Sequence, residues 1–133
     1  MNRLEGVVES VEGTAGVLSV RVACAAGPLE ALVFGAAGGS DWLASGKRVR
    51  ATFKESDVIL ALRGALPWPG ALEATASQVT NSDILSRVDL SCGGSRVTAL
   101  VPVRRLAAQG IGTGTRVDLW IPPHEIMLEE AEA

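Results

Sequence analysis

Apolar and polar residues alternate along most of this chain. Leu18, Val20, Val22 and Cys24 share one face, with Ser19 and Arg21 on the other. Val49, Ala51 and Phe53 alternate in the same way with Arg48, Arg50, Thr52 and Lys54. A period of two is the signature of strands half buried against a core. The pattern predicts five short strands, near residues 4–11, 17–24, 29–34, 47–54 and 57–62. It then returns: Val88, Leu90 and Cys92 stand against Arg87 and Asp89, and Val117, Leu119 and Ile121 against Arg116 and Asp118.

The return is a duplication. Shifted by 68 positions, the sequence aligns on itself without a gap from Leu4 to Leu60. Identical pairs include Leu4/Leu72, Glu5/Glu73, Val20/Val88, Cys24/Cys92, Ala31/Ala99, Gly46/Gly114, Arg48/Arg116 and Leu60/Leu128. One register kept through apolar, glycine and cysteine positions marks an internal repeat. Between the third and fourth strands of the second copy, Val103 to Gln109 reads as a short helix stopped by Gly110. The matching Gly35 to Trp42 is glycine-rich and a weaker helix former. Five strands with a helix after the third is the plan of an OB-like barrel. The expected fold is therefore all-β: two tandem five-stranded OB-like barrels, at residues 1–65 and 66–133, joined by a linker near 63–70 that Pro67 and Pro69 stiffen.

Composition removes several functions. The net charge of −3 supplies no long-range field for nucleic acid. Tyrosine is absent, and the aromatics are Phe34, Phe53, Trp42, Trp68 and Trp120. Phe53 falls on the core face, and Trp120 suits a subunit contact as well as a stacked base. The most apolar stretch, Val22 to Gly39, is broken by Pro28 and Glu30, so no membrane insertion is expected. The opening residues lack the apolar core of a secretory signal, which points to the cytoplasm. Cys24 and Cys92 read as small buried thiols in a reducing compartment.

Catalytic machinery is missing from the pattern. His124 is the only histidine and reads as a surface residue, and Glu129, Glu130 and Glu132 read as a solvated acidic tail. Gly46-Lys47 is no phosphate loop, because Arg48 follows it and Asp41 stands where the first loop glycine belongs. No enzyme is expected.

A family resemblance then enters on particular residues. Gly46-Lys-Arg-Val-Arg-Ala-Thr-Phe-Lys-Glu-Ser-Asp-Val-Ile-Leu60 resembles the C-terminal signature of molbindin, or Mop, domains, a TOBE-like family. Asn2-Arg-Leu-Glu-Gly-Val-Val8 is similar to the family's opening, and Ala31-Leu-Val33 to its central strand. The second repeat fits more loosely, and together the two resemble a di-Mop arrangement. The resemblance implies binding of molybdate or tungstate, small tetrahedral dianions, at interfaces between barrels. It also implies self-association, as a trimer of two-barrel chains. On it, the oxyanion-binding candidates are Lys54, Ser56, Asn2 and Arg3.

The chain also departs from the family. The family's threonine and serine after the central strand fall on Phe34 and Ala37, and positions in the second repeat fall on Pro122, Pro102 and Arg105. Backbone amides at Gly35 to Gly39 and at Gly93-Gly94 are the remaining candidate donors. The implied function is storage or homeostasis of molybdate or tungstate, with no covalent cofactor. The alternative is a Mop-like oligomerisation or regulatory module, associated with a transporter or regulator, that has lost its ligand.

Overall fold

The strands form where the alternation places them. A computed structural model describes residues 1–14, 16–35 and 41–131. In chain order the strands are β1 (Asn2–Thr14), β2 (Val17–Cys24), β3 (Gly27–Phe34), β4 (Arg48–Phe53) and β5 (Ile59–Leu62). The second copy gives β6 (Leu72–Asn81), β7 (Leu85–Cys92), β8 (Ser95–Pro102), β9 (Arg116–Trp120) and β10 (Met127–Glu130). Helix α1 (Val103–Gln109) follows β8, and Gly110 ends it in the left-handed conformation at φ 68°. The helix anticipated in the first copy falls on residues mostly outside the described ones.

Both copies build the same antiparallel ladder. Leu4 faces Ala51 as Leu72 faces Leu119, and a bulge interrupts each long first strand, between Val8 and Ser10 and between Ala76 and Gln78. Even the turn bonds repeat: Gly46 N donates to Val8 O, and Gly114 N donates to Ala76 O. The two sheets are β10-β4-β1-β2-β3 and β5-β9-β6-β7-β8. Each curls until its edge strands come into contact, β10 with β3 and β5 with β8.

The fifth strand of each sheet comes from the opposite repeat, so neither copy closes its own sheet as the sequence suggested. Leu60 of β5 pairs with Leu119 of β9, and Leu128 of β10 pairs with Ala51 of β4. The connection explains the crossing. After β4 the chain enters a 3-10 turn, Glu55–Asp57, which lies against β8 and delivers β5 to the far sheet. Its counterpart, Pro123–Glu125, lies against β3. One hydrophobic cluster therefore runs through both halves, taking in Leu4, Val22, Phe53, Leu72, Leu90 and Leu119. Two units of about 60 residues, each marginal on its own surface-to-volume ratio, share a single core.

The halves also meet at their hairpin tips. Gly93 has φ 56°, and a Cβ there would lie 2.4 Å from Ala26 Cα. The linker is held to the second sheet: Arg63 Nη2 donates to Ala74 O at 3.2 Å, and Gly64 N donates to Asp118 Oδ2 at 2.7 Å. Trp120, expected at a subunit contact or a base stack, instead meets Trp68 of this linker edge-on, with centroids 5.0 Å apart.

Gly93 and Gly94 make a clean contrast. Gly94 also has a positive φ, of 83°, but open space around it. Gly94→Ala is expected to cost about 1 kcal/mol, the backbone term alone. Gly93→Ala should cost at least twice that by urea unfolding, because the methyl group also meets the Ala25-Ala26 backbone.

Candidate functional site

The four candidate residues gather at one end of the first sheet. In the β1–β4 ladder Asn2 faces Phe53 and Arg3 faces Thr52, so Lys54 stands one residue beyond the last pair. Lys54 is extended, at φ −77° and ψ 152°, and leads into the 3-10 turn that carries Ser56. Arg3, Lys54 and Ser56 are exposed. Among the described residues neither Arg3 nor Lys54 has a carboxylate within ion-pair distance, whereas Arg48 and Arg50 both approach Glu5.

Asn2 is different. It is 5% exposed and shares a strand face with Leu4 and Val8. Its Nδ2 donates to Thr98 O at 2.8 Å, and its Oδ1 accepts from Thr98 N at 2.8 Å. The carboxamide thus bridges β1 to the edge strand of the other sheet. Its position in the apolar register already signalled a polar group with committed partners. Asp57 closes the same turn as Ser56, and its Oδ2 is buried with no hydrogen-bond partner among the described residues. The strand end thus carries the exposed Arg3, Lys54 and Ser56, next to a turn that also holds a carboxyl group.

The duplicated end lacks this chemistry. Gly70, Ala71, Pro122 and His124 occupy the positions of Asn2, Arg3, Lys54 and Ser56. Since Gly70 brings no side chain, a recess of about 420 Å³ remains there, lined by Arg21, Pro28, Leu29, Glu30, Pro69 and Gly70. His124 is exposed beside Glu125, at 3.4 Å. Of the glycines proposed as donors, Gly93 packs its Cα against the Ala25-Ala26 backbone, and 36–39 lie outside the described residues. Glu129 and Glu130 are strand residues of β10, not a free tail, while Glu132 lies outside the described residues. No group of three or more metal-ligating side chains occurs among the described residues.

The model of the TOBE domain matches residues 1–60, which carry β1 to β4, the crossing turn and the start of β5. Residues 1–60 are thus similar to the TOBE domain. The candidate cations Arg3 and Lys54 both lie in this matched stretch. No curated protein sequence matches the chain. Among solved structures, the cytoplasmic molybdate-binding protein ModG, in a form with molybdate bound, matches with a TM-score of 0.87 at 24% identity. The match covers 98% of this chain and 96% of that one. The fold of this chain is thus the fold of that protein. Among the described residues, no helix is long and apolar enough to cross a membrane.

Cys24 is half-buried and Cys92 is buried. Burial, and secondarily the neighbouring Cys92, pushes the Cys24 thiol from an ordinary 9.0 up to about 11. Burial also raises Cys92. A thiol raised on folding favours the native state while neutral, and that contribution fades once the unfolded chain can ionise. Thermal stability is therefore expected to hold below pH 9 and to fall between pH 9.0 and about 11, less so in Cys24→Ser. Asn2→Ala, which strands the Thr98 backbone pair, is expected to cost about 1–3 kcal/mol in urea unfolding.

Proposed function

We propose that the chain binds a small tetrahedral dianion, molybdate or tungstate, reversibly, for storage or homeostasis in the cytoplasm. The observation that carries this reading is that the β1–β4 ladder brings the exposed Arg3 and Lys54, and with them Ser56, to one end of the sheet, without carboxylate partners among the described residues. The fold around them is shared over 98% of the chain with a protein named for binding molybdate. No bond is made or broken. The dianion exchanges water for charge-assisted hydrogen bonds from a guanidinium, an ammonium, a hydroxyl and backbone N–H groups. Asn2 acts by fixing the start of β1, and so the height of Arg3, against Thr98.

One end of one chain offers too few donors to enclose a dianion. Self-association, as a trimer of two-barrel chains, brings that end against a neighbour that supplies the rest. The second reading is a module for oligomerisation or regulation without a ligand. The partnerless Asp57 Oδ2 favours it, because a carboxylate in the same short turn as Ser56 opposes an anion there.

Equilibrium dialysis against molybdate, tungstate and sulfate, read by elemental analysis, separates the two. Retention of molybdate or tungstate at micromolar concentration is expected. Arg3→Ala and Lys54→Ala should each weaken it at least tenfold, the loss of about 1.5–3 kcal/mol from one charge-assisted bond. No retention of any of the three leaves the ligand-free module.

A further inference from the structure

The bridge that Asn2 makes is missing from the duplicated end. By the 68-residue shift, Asn2 corresponds to Gly70 and Thr98 to Glu30. At the first end the Asn2 carboxamide holds both backbone groups of Thr98, at 2.8 Å each. At the second end the equivalent groups are the N–H and C=O of Glu30, and glycine brings nothing to meet them.

The ladder shows which way these groups point. Gly35 N donates to Gly16 O, so the bonded pairs of the β2–β3 register are Leu18/Val33, Val20/Ala31 and Val22/Leu29. Arg21/Glu30 falls between two of them, and both backbone groups of Glu30 therefore face off the edge of the sheet. Pro28 has the same parity, so its missing N–H costs no ladder bond. Among the described residues nothing bonds Glu30 N or O, whereas the Glu30 carboxylate accepts from Ser19 Oγ at 2.9 Å. The recess of about 420 Å³ lies here, lined by Pro28, Leu29 and Glu30 of β3 and by Pro69 and Gly70 of the linker.

An added strand does not suit this edge. Pro28 offers no N–H on one flank, and Ile126 to Leu128 run beside Leu32 to Phe34 on the other. What remains is one donor and one acceptor from a single residue, in a hollow with apolar walls. A primary carboxamide satisfies both at once, as Asn2 does for Thr98.

We propose that this recess binds a small neutral primary amide, which donates N–H to Glu30 O and accepts at its carbonyl from Glu30 N. Pro28, Leu29 and Pro69 cover the alkyl part of the ligand, and the volume is that of a small-molecule site. Arg21 also lines the recess and attracts acids, but a carboxylate brings no donor for Glu30 O. Recognition is therefore of the amide and not of charge. The site uses none of Arg3, Lys54 and Ser56, and it stands or falls apart from the oxyanion reading.

Nitrogen–proton NMR of the full-length chain, titrated with propionamide and separately with propionate, tests it. Propionamide is expected to shift the Glu30 and Gly70 amide signals saturably in the millimolar range. The Trp120 indole signal should move with them, since its Nε1 lies 3.9 Å from the Cβ position of Gly70. Propionate should act on Glu30 at least tenfold more weakly. Glu30→Pro removes the donor without breaking a ladder bond, so the chain should stay folded by circular dichroism and bind propionamide at least tenfold more weakly. Asn2→Gly removes the carboxamide at the first end, and there propionamide, but not propionate, should shift Thr98 and restore part of the lost melting temperature. No saturable shift of Glu30 in the wild type overturns the proposal, and so does an equal response to propionate. Undiminished binding by folded Glu30→Pro overturns it too. Rescue at Thr98 without any response at Glu30 shows that the probe works and that the recess does not bind it. Failure of that rescue counts against the carboxamide fit itself.

Discussion

Burial of Leu60 beside Leu119, in a sheet otherwise built by the other repeat, is the contact on which the architecture depends. Each sheet has four strands of its own and needs a fifth before its edges meet. The turn after β4 rests on the far sheet, so the fifth strand is supplied across the molecule in both directions. Apolar side chains from both copies then enter one cluster, and neither half can leave without exposing the other's core. The hairpin contact at Gly93 and the Asn2–Thr98 bridge are later refinements of the same interlock.

This interlock also decides where chemistry is available. The β1–β4 ladder sets the start of β1 beside the end of β4 and so brings Arg3, Lys54 and Ser56 to one end, which the interlock lays against β8. The related rim has Ala71, Pro122 and His124. The backbone is near-symmetric and the charges are not. Two ends with the same ladder geometry thus differ in the charges they offer, and geometry alone does not make a site.

Much of this was readable in the residues. Strand alternation, the 68-residue shift and the glycine-stopped helix at Val103–Gln109 each rest on local periodicity, and each has its element in the structure. Strand exchange was not readable. Ile59–Leu62 has the same alternation whichever sheet receives it, and in a duplicated chain both destinations offer the same apolar register, Ala51 or Leu119. The role of Asn2 was half legible. Its parity with Leu4 and Val8 marks it as buried, but the partner, Thr98, lies 96 positions away, where no local pattern points. Trp120 misled for a similar reason, because its covering ring comes from the irregular linker.

The exchange carries a consequence for how such a chain arises. A single copy with the same crossing turn could complete its sheet only by trading its last strand with a second molecule, and its stability would then vary with concentration. Fusing two copies through a tether of fewer than about ten residues makes that encounter intramolecular, at an effective concentration in the millimolar range. It also releases the halves from identity. While the partners were products of one gene, every substitution appeared twice; after fusion, Asn could stay at one end where its counterpart became glycine, and Lys could stay where its counterpart became Pro. Lopsidedness in this molecule is what covalent linkage makes attainable.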